Sequence, residues 1–300
     1  MKLGNYPKSF GRRLGLLVAI ASLFFVGDRC FAWLCDQATK TSQARLPKAY
    51  TGRMNCDVVI LGNSRAIKSF DLPQLEQKLS VTVANLGVNG MRPALLNAVA
   101  LDFLAANAKP KFCFIEVSYL KNDWDDALAA EFIPYASYGK HTNELLWERL
   151  PKHMIADQIF HLRRFGGQQF FRSLTFLKKS DQEEASKRSM TAAAEAALDS
   201  SPEAVYASSK ETLAAFAALV ATLEQSDVKV TLIFAPIQET FRNKIAGLPE
   251  WIQQVAAATN HPVRDYSAGL SDRKFFADSV HLNQDGQTMF TEMLLKDSGL

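Results

Sequence analysis

An excess of charge of one sign is the first thing this sequence lacks. Its 300 residues hold 34 Lys and Arg against 31 Asp and Glu, a net charge of +3. The basic residues form no long stripe with aromatics interleaved, so nucleic acid is not an expected partner. Metal-ligand spacing is missing too. The four cysteines, Cys30, Cys35, Cys56 and Cys113, show no zinc pattern, and His141, His153, His161 and His261 stand apart from one another as ordinary surface or core histidines. Gly166-Gly167 carries no phosphate-binding pattern, no internal repeat occurs, and neither metal nor cofactor is expected. With 48% hydrophobic and 22% charged residues, the composition excludes a largely disordered or many-span membrane chain.

One long apolar run is present, at the N-terminus. Lys2, Lys8, Arg12 and Arg13 precede Leu14 to Val26, and the apolar character resumes after Asp28 and Arg29 in Cys30 to Cys35. The run of about 13 residues is shorter than the ~20 needed to cross a bilayer, but no small-x-small cleavage site follows it. We expect residues 1–36 to be an uncleaved signal anchor, with the basic residues held in the cytoplasm and the remainder periplasmic, outside a bacterial-type inner membrane. In that oxidising compartment the cysteines could pair. Cys56 and Cys113, beside or within expected core strands, read more simply as small buried hydrophobes.

From residue 37 onward, strand and helix patterns alternate as in a doubly wound α/β fold. Strands are expected at Asp57 to Leu61, Val81 to Leu86, Phe112 to Val117, Lys229 to Ala235 and Pro262 to Tyr266. The near-continuous apolar runs suit strands covered on both faces of a parallel sheet. Helices are expected from Ser64 to about Leu79, from Pro93 to Ala106, from Pro202 to Glu224, from Thr240 to Thr259, and from about Gln284. Residues 118 to about 202 break the rhythm as an insertion. Its first half, with Trp124, Phe132, Tyr135, Tyr138, Trp147 and Phe160, has enough aromatic area for a small helical cap, which could also shape an acyl or sugar pocket. Its second half is poor in large apolar groups and suits a mobile helix or linker.

Two segments concentrate the chemistry. Gly62-Asn63-Ser64-Arg65 follows the first strand directly, and Asp278-Ser279-Val280-His281-Leu282-Asn283 precedes the last helix. A serine after a strand is often only a helix cap. Here, however, an open parallel sheet would bring both segments to its carboxyl edge, where ligands bind. A serine hydroxyl is a poor nucleophile until an imidazole removes its proton, and the imidazole needs a carboxylate to orient it. Ser64, His281 and Asp278 supply those three groups, and the three-residue spacing lets Asp278 reach the ring nitrogen facing away from Ser64.

With these residues the sequence resembles the SGNH, or GDSL-like, hydrolases, whose signature is a serine after strand one and D-x-x-H near the C-terminus. The family's Gly-Asp-Ser appears as Gly62-Asn63-Ser64, and H-L-N-x-x-G as His281 to Gly286. The resemblance implies a three-layer sandwich with a five-stranded parallel sheet in the flavodoxin-like order 2-1-3-4-5, spanning residues 37–300. It also implies an oxyanion hole made from the Ser64 amide, the Gly87 amide in Asn85-Leu86-Gly87-Val88-Asn89-Gly90, and an asparagine after strand three. No G-x-N-D follows Phe112 to Val117, so the third donor is sought among Ser118, Asn122 and Asn89. Arg65 could meet an anionic substrate or a carbonyl, or point into solvent. Glu116 is expected to pair with Arg65 or Arg92 and has no catalytic role.

The anchored layout and the inserted cap look similar to SGNH-like proteins that work beside membrane-bound O-acyltransferases on cell-envelope polymers, including alginate O-acetylation and D-alanine transfer. That likeness implies a serine esterase or O-acyltransferase acting through an acyl-Ser64 intermediate. Its acyl donor would be an ester, and its acceptor water or a carbohydrate. Two other readings stand beside it: a degenerate fold that binds polymer or partner without chemistry, and a plain lipase.

Overall fold

The computed structural model describes residues 8–119, 124–178, 181, 185–200, 202–206 and 209–298. Seven strands occur among them: β1 (Val58–Leu61), β2 (Val83–Asn85), β3 (Phe112–Glu116), β4 (Ala204–Val205), β5 (Lys229–Phe234), β6 (Ile245–Ala246) and β7 (Val263–Asp265). Five of these form one parallel sheet in the order β2-β1-β3-β5-β7. The expected order 2-1-3-4-5 counted five strands. It missed β4 and β6, which pair with each other in a separate two-stranded sheet. Strands of two residues give no periodicity to read.

The helices are α1 (Lys8–Thr41), α2 (Arg45–Tyr50), α3 (Ser64–Ser69), α4 (Leu72–Leu79), α5 (Pro93–Ala106), α6 (Asp126–Ala130), α7 (Lys140–Arg149), α8 (Pro151–Ile159), α9 (Gln168–Thr175), α10 (Ala192–Asp199), α11 (Lys210–Gln225), α12 (Glu239–Arg242), α13 (Leu248–Thr259) and α14 (Gln284–Ser298). Several expected boundaries move, each for a local reason. The helix after β1 splits in two, because the Asp71 side chain caps a new start at the Gln74 amide, with Pro73 in the first turn. Thr240 to Thr259 likewise breaks into α12, β6 and α13 at Gly247, whose φ of +76° suits glycine. The helix expected from Pro202 begins instead at Lys210, where Ser209 caps the Thr212 amide.

Alternate residues of the sheet enter two cores. Val59, Leu61, Ile115, Leu232 and Phe234 pack against α5, α11 and α13. Val58, Ile60, Phe114 and Ile233 pack against α3, α4 and α14. The result is a sheet covered by helices on both faces, which is why its central strands are largely apolar. Cys113 lies in the first of these cores, and all four cysteines are free.

The insertion behaves differently from expectation. Phe132, Ile133, Tyr135, Leu146, Leu150 and Met154 join the first core instead of forming a cap with a centre of its own. Phe160, counted among the cap aromatics, is 60% exposed. Beyond Asp181, residues 185–190 are no free linker. The Met190 amide donates to the Phe276 carbonyl at 2.7 Å, and its side chain is buried in the second core. Only α10 remains the solvated helix that its Ala-rich sequence suggested.

Candidate active site

β1 ends at Leu61, and the chain must turn at once to begin α3. Gly62 makes this possible with a φ of +149°, and a Cβ there would lie 2.8 Å from the Ala66 Cβ and 3.1 Å from that of Glu116. Asn63 then caps the helix. Its Oδ1 accepts from the Arg65 amide at 2.8 Å, while its Nδ2 donates to the Ser118 carbonyl at 2.9 Å. An amide side chain satisfies both partners, one needing an acceptor and the other a donor, and this also fixes which way round the amide sits. Ser64 is thereby held as the first residue of α3 at the carboxyl end of β1.

The second arm comes from the far end of the chain. Phe276 and Leu282 form an antiparallel bridge, and the Ala277 amide donates to the His281 carbonyl at 2.8 Å, so residues 277–281 fold as a closed loop. Asn283 fastens its base. Its Nδ2 donates to the Lys274 carbonyl at 2.6 Å and its Oδ1 accepts from the Gly286 amide at 3.0 Å. The strap at 185–190 holds the same loop from outside, where the Gln284 amide donates to the Ser186 carbonyl at 2.8 Å.

These arms bring Ser64 to Asp278 and His281, which lie more than two hundred positions away in the sequence. The Ser64 Oγ lies 2.8 Å from His281 Nε2, and His281 Nδ1 lies 2.8 Å from Asp278 Oδ2 and 3.0 Å from Oδ1. A carboxylate can only accept, so Nδ1 carries the ring proton and Nε2 is left to accept from the serine hydroxyl. Asp278 Oδ1 also accepts from the Val280 and His281 amides, each at 2.9 Å. Burial pushes the Asp278 carboxyl up. The hydrogen bond from His281, the two amides and the imidazole's charge outweigh it and hold the group below the ordinary 3.8. Asp278 therefore stays an anion that can stabilise an imidazolium.

A cleft of about 420 Å³ opens over the three residues, lined also by Lys68, Asn89, Gly90 and Ser186. Asn89, one of the expected donors, lines this cleft. Other expected donors do not. The Gly87 amide already donates to Asn85 Oδ1 at 2.9 Å in the buried floor. Ser118 is buried as well, with its amide donating to Glu116 Oε2 at 3.2 Å and its hydroxyl to Oε1 at 2.5 Å. Asn122 lies outside the described residues.

Arg65 corrects the expectation of a substrate contact. Only 4% exposed, it runs beneath the site with its guanidinium donating to the Ala235 and Pro236 carbonyls and its Nε 3.4 Å from Glu116 Oε1. Glu116 therefore pairs with Arg65, while Arg92 lies 3.4 Å from Asp125. Sequence reasoning missed Lys68, although its position one helical turn after Ser64 puts it on the same face of α3. Ser186 had no such signal, because only the strap's tertiary path carries it to the cleft.

No protein-family pattern matches this sequence, and no curated protein matches it. Among solved structures, the chain is similar to one described as TesA, with 13% identity over 80% of this chain and 96% of the other at a TM-score of 0.41. It is similar also to a GDSL-like lipase from Bacteroides thetaiotaomicron, with 10% identity over 81% and 88% of the two chains at a TM-score of 0.38. At such identities the chemistry rests on the site's own geometry.

Proposed function

We propose that this chain is a membrane-anchored serine esterase or O-acyltransferase of the SGNH type. The observation that carries the reading is the relay from Ser64 through His281 to Asp278, with both links at 2.8 Å. Ser64 Oγ attacks an ester carbonyl as its proton passes to His281 Nε2, and Asp278 stabilises the resulting imidazolium. The imidazolium then gives that proton to the departing alcohol, leaving an acyl-Ser64 ester. Water or a sugar hydroxyl, deprotonated by the same imidazole, attacks the ester and frees Ser64. The developing oxyanion would be met by the Ser64 amide and Asn89, a smaller donor set than the resemblance implied.

Cell-envelope polysaccharide is the substrate class we favour. The support is α1, an exposed apolar helix in which residues 11–41 are long enough to cross a membrane. It would hold the cleft outside the inner membrane, beside a membrane-bound O-acyltransferase partner. A second reading, a binding module without chemistry, draws on the Gly87 and Ser118 donors being already engaged.

Purified full-length protein in detergent separates the two. It should release p-nitrophenol from p-nitrophenyl acetate and take up a serine-directed fluorophosphonate, and Ser64→Ala should abolish both. A wild-type protein inert in both assays would favour the binding reading, and labelling that survives the substitution would remove Ser64 from the role.

A further inference from the structure

The exposed aromatic at Phe160 belongs to a larger feature. α8 shows Ile155 and Ile159 on its solvent side, one turn apart, and Phe160 and Leu162 follow at the elbow leading to α9; all four are exposed. Ile159, Phe160 and Leu162 face the flank of α1 across an apolar groove of about 730 Å³ whose other wall includes Phe24 and Phe31. A patch of this kind on a water-soluble surface marks an interaction site.

The elbow is latched to α1 at a defined height. Asp28 Oδ2 accepts from the His161 amide and Oδ1 from the Leu162 amide, each at 2.9 Å. Arg29 donates to Asp28 at 2.8 Å and to the Ile159 carbonyl at 3.1 Å, with its guanidinium 3.6 Å from the centre of the Phe25 ring. Below this latch, Ala32 packs with Phe165 and Phe170. The two charges that interrupt the apolar N-terminal helix are thus satisfied by the elbow's backbone and by each other.

The length of α1 says what surrounds that height. The run from Leu14 to Val26 gives roughly 20 Å of helix at ~1.5 Å per residue, about 10 Å short of a bilayer's hydrocarbon core. Phe31, Trp33 and Leu34 continue the exposed apolar surface past the latch, and a span from Leu14 to Leu34 would reach roughly 31 Å. If α1 spans in this register, the Asp28 latch and the elbow lie within the outer leaflet.

We propose that the α8–α9 elbow is a second membrane contact, with Ile155, Ile159, Phe160 and Leu162 inserted among the acyl chains beside α1. Exposed Lys152 flanks it and suits anionic headgroups, while Arg163 is paired with the buried Asp157 at 2.6 Å. The proposal rests on the reading of α1 as an anchor. Two contacts joined by the latch would fix the tilt of the catalytic domain, so that its cleft keeps one height above the bilayer.

The test uses the full chain in vesicles of phosphatidylglycerol and phosphatidylethanolamine carrying radiolabelled lipid. A photoreactive p-benzoylphenylalanine is placed at Phe24, at Phe160 or at exposed Lys210, and cross-linked lipid is counted after irradiation. The expected result is lipid cross-linking at Phe24 and Phe160 in comparable yield, several-fold above Lys210. Cross-linking at Phe24 with only the Lys210 level at Phe160 overturns the second contact and leaves the anchor intact. Background at both positions removes the anchor reading and the proposal together.

Discussion

At His281 a single ring has two hydrogen bonds with opposite demands, and the proposed chemistry would depend on both. Nδ1 must keep its proton toward Asp278 so that Nε2 can accept from Ser64. Asp278→Asn leaves the ring a partner of almost the same shape but offers an N–H as readily as an oxygen, favouring the wrong tautomer. We expect kcat for p-nitrophenyl acetate to fall by about 10³- to 10⁴-fold with little change in KM. A loss smaller than tenfold would mean that the carboxylate does not orient the imidazole. That Asp278 and His281 belong together was legible in the sequence, since a three-residue spacing suffices. The fate of Arg65 was not: a guanidinium at a helix start is indifferent to direction until Glu116 and two carbonyls draw it inward.

The turn from β1 to α3 shows what one element requires of its neighbours. Asn63 stands where the resembled family has aspartate. Here that side chain must donate to the Ser118 carbonyl as well as cap the Arg65 amide. Aspartate would keep the cap but set a carboxylate against the carbonyl, so Asn63→Asp should destabilise the fold by about 1 to 3 kcal/mol. Thermal unfolding in detergent checks this, and an unchanged or raised Tm would refute it. The difference from the family's Gly-Asp-Ser is thus part of the local hydrogen bonding. The Gly87 amide tells the opposite story. Its place after β2 suited an oxyanion donor, but Asn85, two residues earlier on the same strand end, takes up that N–H.

Over the whole molecule, strong acid should loosen a point where charge ties the sheet together. Asp57, just before β1, has its carboxyl held down to about 2 by the Thr82 amide, then by the Lys111 ammonium and the Thr82 hydroxyl. A carboxyl depressed in the folded state stabilises it above the unfolded value, near 3.8, and loses that contribution as pH falls toward about 2. Asp57→Asn should therefore lower Tm at neutral pH and flatten its decline across that acid window, as scanning calorimetry from neutral to acid pH would show. Parallel acid limbs for the two proteins would exclude the linkage.

The alternation of apolar strands and helices, the anchor-like helix and the pairing of Ser64 with Asp278 and His281 were determined by the sequence, because each depends on neighbours a few residues away or on a chemistry that admits few residue types. Tertiary structure decided what depends on distant partners. It assigned Arg65 to the buried floor, brought Ser186 and Lys68 into the cleft, drew Phe132 and Tyr135 of the insertion into the main core, and left Phe160 outside beside α1. A side chain's direction follows from what is packed against it, and for these residues the partner lies on another element.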